Sequence, residues 1–318
     1  MKRRILLAAA VATTVLPFAA TAQPTRPFRV GVLMLIEREP FWSIFRAALK
    51  ELGYSEGSNI QFEFRSADHV PARLDALAAE LVALNVAAIV AVQTPAALAA
   101  KRATRTIPII LAGVGDPLAT GLVTSLARPE ANLTGVSTDT AELAGKSVEL
   151  LREIVPSTLR IAALYNAPDP FRRPFLEQIE KAGAITGLVI RPAKVEREEE
   201  LEAAFARLVA DHADAVIVQP SLSAKFTAEL ALKHRIASAA ATRRFSDAGG
   251  LLSYGADISH LYRESARYLD KILKGAKPGD LPVHGPAQIE LVINLKTAKA
   301  IGVTVPQSVL IRADEIIE

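Results

Sequence analysis

From Phe28 onward, short apolar runs alternate with longer segments whose apolar residues recur at helical spacing, and this rhythm limits the fold more than any other feature. Residues 29–35 predict a buried strand. Residues 41–52 predict a helix that Gly53 is placed to end. A strand over 60–64, a helix over 70–84 with Leu74, Leu77, Leu81 and Leu84 along one face, and a strand over 86–92 follow. A helix over 95–102 and a strand over 107–111 complete the first run. Strand and helix alternating at this spacing predict an α/β fold, with a parallel sheet covered on both faces. After a strand over 133–136 the rhythm repeats. Helices are expected over 141–154, 173–182, 198–210 and 224–235, and strands over 161–165, 189–192 and 215–218. Two runs of similar length, with no long Gly/Ser linker between them, predict two similar lobes. The last part is less regular: strands over 251–254 and 290–293, helices over 258–273 and 295–301, and a loop over 275–286 between them.

The N-terminus predicts export. Lys2, Arg3 and Arg4 precede an apolar run over 5–15, Pro17 breaks it, and Ala20-Thr21-Ala22 places small residues before a cut at Gln23. That is the layout of a cleavable secretory signal over 1–22. The run is too short for a transmembrane helix, which takes about 20 apolar residues. The whole chain carries 37 Lys and Arg against 34 Asp and Glu; removing the three bases of the signal leaves 34 of each. Such a balance, with no basic face, argues against nucleic acid as a partner. The chain has no cysteine. An exported protein of this kind must therefore hold together by its core, without disulfides or a thioether-linked lipid anchor. A soluble periplasmic protein is expected.

In open α/β sheets ligands bind beyond the carboxyl ends of the strands. The loop after the first strand holds Phe41 and Trp42, which suit either an aromatic pocket or the packing of the first helix on its sheet. After the third strand, Gln93 precedes Thr94 at an N-cap position and Pro95 at the start of a helix. A helix end of this kind holds a carboxylate or phosphate, or serves as an ordinary cap. After the fourth come Gly115 and Asp116, which suit an ammonium group or a simple turn. Ser137, Asn166, Gln219 and Tyr254 occupy further loops or strand ends, where each equally suits an unremarkable loop.

Enzyme signatures are missing: no phosphate-binding Gly-rich loop and no G-x-S-x-G elbow. The five histidines are scattered, with none paired at metal-ligand spacing. No enzyme activity, cofactor or metal is expected.

Several segments together resemble a known family. They are Leu52-Gly-Tyr54, Thr94-Pro-Ala-Ala97, Gly115-Asp-Pro117 with Gly121-Leu-Val-Thr-Ser-Leu-Ala-Arg-Pro129, and Asn132-Leu-Thr-Gly-Val136. Gly249-Gly-Leu-Leu-Ser-Tyr-Gly255, Ile272-Leu-Lys-Gly-Ala-Lys-Pro278 and Ile293-Asn-Leu-Lys-Thr-Ala298 extend the match. The chain resembles the ABC-transporter substrate-binding proteins that include tryptophan-binding, TrpX-like members. The resemblance implies a type I periplasmic-binding-protein fold: two Rossmann-like lobes with parallel sheets, joined by a three-segment hinge. One lobe would take 23–137 and about 255–283, the other 138–254 and about 284–318. It further implies a monomer that delivers a small solute, such as an aromatic amino acid, to an inner-membrane permease. Thr94 and the N–H groups after it, Ala96 among them, would hold a carboxylate, Asp116 would face an amino group, and Phe41 and Trp42 would supply apolar contact. One departure is visible. The family's Pro-Gly-Gly-Asn turn is Pro129-Glu-Ala-Asn132 here. A periplasmic sensor subunit binding the same ligand, or a hydrolase using cleft carboxylates such as Glu37 and Asp116, are the competing readings.

Overall fold

A computed structural model describes residues 27–35, 38–129 and 132–318, and the statements below concern those residues. The expected signal over 1–22, Glu37 and the Glu130-Ala131 departure lie outside them.

The first run comprises β1 (Phe28–Met34), α1 (Phe41–Glu51), β2 (Ile60–Ser66), α2 (Leu74–Ala83), β3 (Ala88–Val92), α3 (Thr94–Ala103), β4 (Ile109–Val114) and β5 (Leu133–Ser137). The second comprises α4 (Thr140–Ile154), β6 (Arg160–Asn166), α5 (Arg172–Thr186), β7 (Val189–Val195), α6 (Leu201–Ala210) and β8 (Ala215–Val218). It continues through α7 (Ala224–Lys233), β9 (Ala237–Ala240), α8 (Arg243–Asp247) and β10 (Leu252–Ala256). The chain ends with α9 (Ile258–Leu273), β11 (Val283–His284), β12 (Ile289–Asn294), α10 (Leu295–Ile301), α11 (Gln307–Leu310) and β13 (Glu315–Ile317).

These strands form two sheets, ordered β11-β5-β4-β3-β1-β2 and β13-β12-β10-β9-β8-β6-β7. The chain passes between the sheets three times: after β5, after β10 and after β11. Central strands such as β3 (AIVAV) and β8 (AVIV) are buried along their whole length, as parallel strands with helices on both faces require. Each sheet accordingly has a hydrophobic cluster on either side. The helix α9 returns to the first sheet and packs on α1 and on β3, β4 and β5. The first and third crossings touch, because the Asp139 carboxylate lies where any side chain at Gly285 would sit.

Several expectations need correction. The helix expected over 70–84 begins with a 3₁₀ turn at Pro71–Arg73, and α2 starts only at Leu74. The sheets are not wholly parallel: β12 runs antiparallel to β10. Sequence periodicity also passed over β9, α8, β11, α11 and β13. The strand β9 reads Ala-Ser-Ala-Ala, without the branched residues that mark strands, and is formed by its buried place between β8 and β10.

The glycine of Asn132-Leu-Thr-Gly-Val136 has a physical reason. Gly135 has φ +136° and pairs with Leu111, whose carbonyl an added Cβ would overlap. In the same motif, Asn132 Nδ2 donates to Ile107 O at 2.6 Å and so fastens β5 to the approach of β4. Gly135→Ala is predicted to lower the urea-unfolding free energy by about 1–3 kcal/mol from backbone strain alone. An unchanged unfolding midpoint would contradict this.

Candidate functional site

Parallel strands deliver all their outgoing loops to one edge of the sheet, and the three crossings set these edges of the two sheets against each other. Between them lies a cavity of about 70 Å³. From the first lobe it is lined by Gln93, Thr94 and Pro95 after β3, by Gly113 and Gly115 at the end of β4, and by Tyr262 of α9. From the second lobe come Asp169 and Phe171 after β6, Ser221 after β8, and Arg244 of α8. Thr138 and Thr140 line it at the first crossing, where their hydroxyls bond to each other.

The first-lobe wall is held by Thr94. It is not the N-cap that the sequence predicts: α3 already begins at Thr94, Gln93 is the capping position, and no side chain caps this end. The Thr94 hydroxyl instead accepts from Gly115 N–H at 2.9 Å and reaches Gly115 O at 3.3 Å, tying the loops after β3 and β4 together. Gln93 has φ 71° and ψ 161°, a backbone region that non-glycine residues enter only under strain. Its Oε1 is buried and has no hydrogen-bond partner among the described residues, so the cavity wall offers an acceptor.

The second-lobe wall carries the charge. Asp169 is 2 % exposed. Its Oδ1 accepts from Phe171 N–H at 2.9 Å and its Oδ2 from Gln219 Nε2 at 2.8 Å. Burial nevertheless pushes its carboxyl above the usual carboxylate range, outweighing the opposing pull of the Ser221 hydroxyl, Phe171 N–H and the Arg172 charge. Across the cavity, burial also pushes the Tyr262 hydroxyl up, with the positive charge of Arg244 opposing. The cavity thus presents a carboxyl group, a guanidinium and two aromatic rings.

Of the twelve residues singled out in the sequence, Gln93, Thr94, Pro95 and Gly115 line this cavity. The other eight do not. Trp42 is buried between α1 and β2, edge-on to Phe62 at 4.8 Å and Phe64 at 4.5 Å, with the Arg38 guanidinium over its ring at 4.6 Å. Phe41 is buried beside it and reaches the site only by packing edge-on against Tyr262 at 5.0 Å. Ala96 lies inside the first-lobe core on the other sheet face. Asp116 Oδ1 accepts from Ala119 N–H at 3.0 Å, closing its own turn. Ser137 bonds to Val114 O and Asp139, and Tyr254 packs into the second-lobe core. Asn166 donates its N–H to Gln219 Oε1 at 2.8 Å, so Asn166 and Gln219 act behind Asp169. The sequence reading named the loop that ends at Asp169 but missed Asp169 itself, together with Phe171, Arg244 and Tyr262. A buried Asp two residues before an aromatic helix cap was the available signal; nothing local marked Arg244 or Tyr262.

This architecture, two mostly parallel sheets facing across a cleft with three crossings, is the type I periplasmic-binding-protein fold. More narrowly, the chain belongs to the ABC transporter substrate-binding protein family, whose sequence pattern matches residues 29–317. A tyrosine-binding protein of Clostridioides difficile is 27% identical over 281 residues, covering 86% of this chain and 80% of that one. The crystal structure of an ABC domain from Streptococcus pneumoniae in complex with L-Trp is 26% identical, with a TM-score of 0.85 over 92% of this chain and 100% of that one. A ligand-free, open substrate-binding protein from Clostridium difficile is 25% identical, with a TM-score of 0.64 over 91% of this chain and 99% of that one. Among the described residues no helix is long and apolar enough to cross a membrane.

The packing of Trp42 predicts a structural phenotype. Trp42→Ala should cost about 3–5 kcal/mol of stability in denaturant titration. Solute affinity of the folded fraction should stay unchanged by calorimetry, and a selective loss of affinity at unchanged stability would return Trp42 to the binding site.

Proposed function

We propose that this chain is the periplasmic solute receptor of an ABC importer, and that it closes its two lobes on a small carboxylate-bearing solute of the amino-acid class. The observation that carries the reading is that Asp169, Arg244 and the ring of Phe171 line the second-lobe wall of the cavity, with the ring of Tyr262 opposite. A zwitterion with an aromatic side chain matches that set: its ammonium to Asp169, its carboxylate to Arg244 and the uncapped end of α3, its ring to the apolar space beside Tyr262. Relatives that bind tyrosine or carry L-Trp support the same ligand class. The lobe division at the three crossings gives the hinge, and docking on a membrane permease is the delivery step. The N-terminal 22 residues would direct export.

Asp169 gives this reading a pH signature. Its folded-state pKa lies above the ordinary aspartate value. Relative to the unfolded chain the solute-free fold therefore favours the neutral form, and stability from this group is present below the ordinary value and lost as pH rises through the raised one. An ammonium solute needs the ionised form. Affinity for such a solute should accordingly fall by about tenfold per pH unit as pH drops below the raised value.

Asp169→Asn keeps an acceptor for Gln219 and removes the buried charge. At neutral pH the solute-free variant is predicted to melt no lower than the wild type, while the stabilisation produced by aromatic amino acids disappears. Differential scanning with and without L-tyrosine or L-tryptophan tests both halves. A variant that retains the full ligand-induced shift would remove Asp169 from the site, and a wild type that no amino acid stabilises would remove the ligand class.

A further inference from the structure

The cavity is smaller than its role demands. Sites for small molecules usually enclose about 300–1,000 Å³, whereas about 70 Å³ lies open here. One of the side chains that line it reaches from one lobe to the other. Phe171 caps the start of α5 in the second lobe, yet its ring lies across the cleft on Gly115 of the first. A Cβ built on Gly115 would stand 2.6 Å from two carbons of that ring and 3.0 Å from a third, so the ring rests directly on bare backbone. Gly115 is itself held in place by the Thr94 hydroxyl. On the other side, Phe171 N–H is bonded to Asp169, and the ring packs against Phe175 at 6.3 Å. An aromatic side chain whose backbone is bonded to Asp169 thus bridges the gap between the lobes.

We propose that Phe171 is a specificity-determining residue that acts as an internal stand-in for the solute's ring. In this arrangement it occupies the apolar space beside Asp169, and a solute ring enters only when the Phe171 side chain swings off Gly115. The space it vacates has the shape and chemistry of a phenyl group, so rings refill it better than short side chains do. Docked Phe171 competes with solute, and the apparent affinity is reduced by the fraction of molecules in which it is docked. The inference rests on the amino-acid reading of the cleft and adds which residue sets its side-chain preference.

Calorimetric titration of the full-length mature protein with L-phenylalanine and L-alanine tests it, using the wild type, Phe171→Ala and Phe171→Leu. Removing the competitor should tighten L-phenylalanine binding at least about fivefold in Phe171→Ala, leave L-alanine within about twofold, and give an intermediate gain in Phe171→Leu. The leucine variant keeps an apolar group against Phe175, so it reports on the ring even if the alanine variant folds poorly. Weaker binding of L-phenylalanine in both variants would mean that Phe171 stacks on the solute, and equal changes for both amino acids would mean that it has no selectivity role; either overturns the proposal. Failure of the wild type to bind any amino acid would instead overturn the ligand class, and this inference with it.

Discussion

Everything in this molecule that resembles a site depends on how the chain crosses between its sheets. Parallel strands force their connections through helices, so the loops that leave each strand gather along one edge. One sheet alone would present that edge to solvent. Three short crossings, after β5, β10 and β11, place the two edges face to face, and α9 returns to the first sheet with Tyr262 on the cleft side. Contact between the Asp139 carboxylate and Gly285 couples two of the crossings. Burial raises the Asp139 pKa, the Ser137 hydroxyl opposes that shift, and Glu142 and Asp116 add to it.

The cleft carries costs that the cores do not. Asp169 is buried with bonds to Gln219 and Phe171 N–H that fall short of offsetting its lost hydration. Gln93 holds a backbone conformation normally left to glycine and keeps a buried acceptor without a partner. In the proposed function, a solute that supplies the missing charge and donor would stabilise these groups, and that gain would draw the lobes together. The cores nearby, with the Trp42, Phe62 and Phe64 cluster as an example, have their interactions complete and serve as rigid backing.

The regular part of the fold was legible in the sequence because its strands are apolar runs and its helices have apolar stripes. What escaped was decided by tertiary contact. The strand β9 is built from small residues, β11 is two residues long, and β13 pairs only with β12 at the end of the chain. The same division applies to the site. Gln93 to Pro95 and Gly115 were legible, since loops after parallel strands face the cleft. Trp42 misled because a lone tryptophan beside charged residues reads alike in a pocket and in a helix–sheet interface. Asp116 misled because Gly-Asp-Pro serves turns as well as ligands, and here Asp116 closes its turn. Arg244 lies on a five-residue helix and Tyr262 on the returning α9, and no local pattern reports that either faces the cleft.

The most direct test is a crystal structure of the mature protein grown with L-tyrosine or L-tryptophan. The account predicts solute density between the lobes, its ammonium within hydrogen-bond distance of Asp169 and its ring beside Tyr262, in the space that Phe171 has left. Density elsewhere on the protein, or an ammonium held by groups other than Asp169, would contradict it.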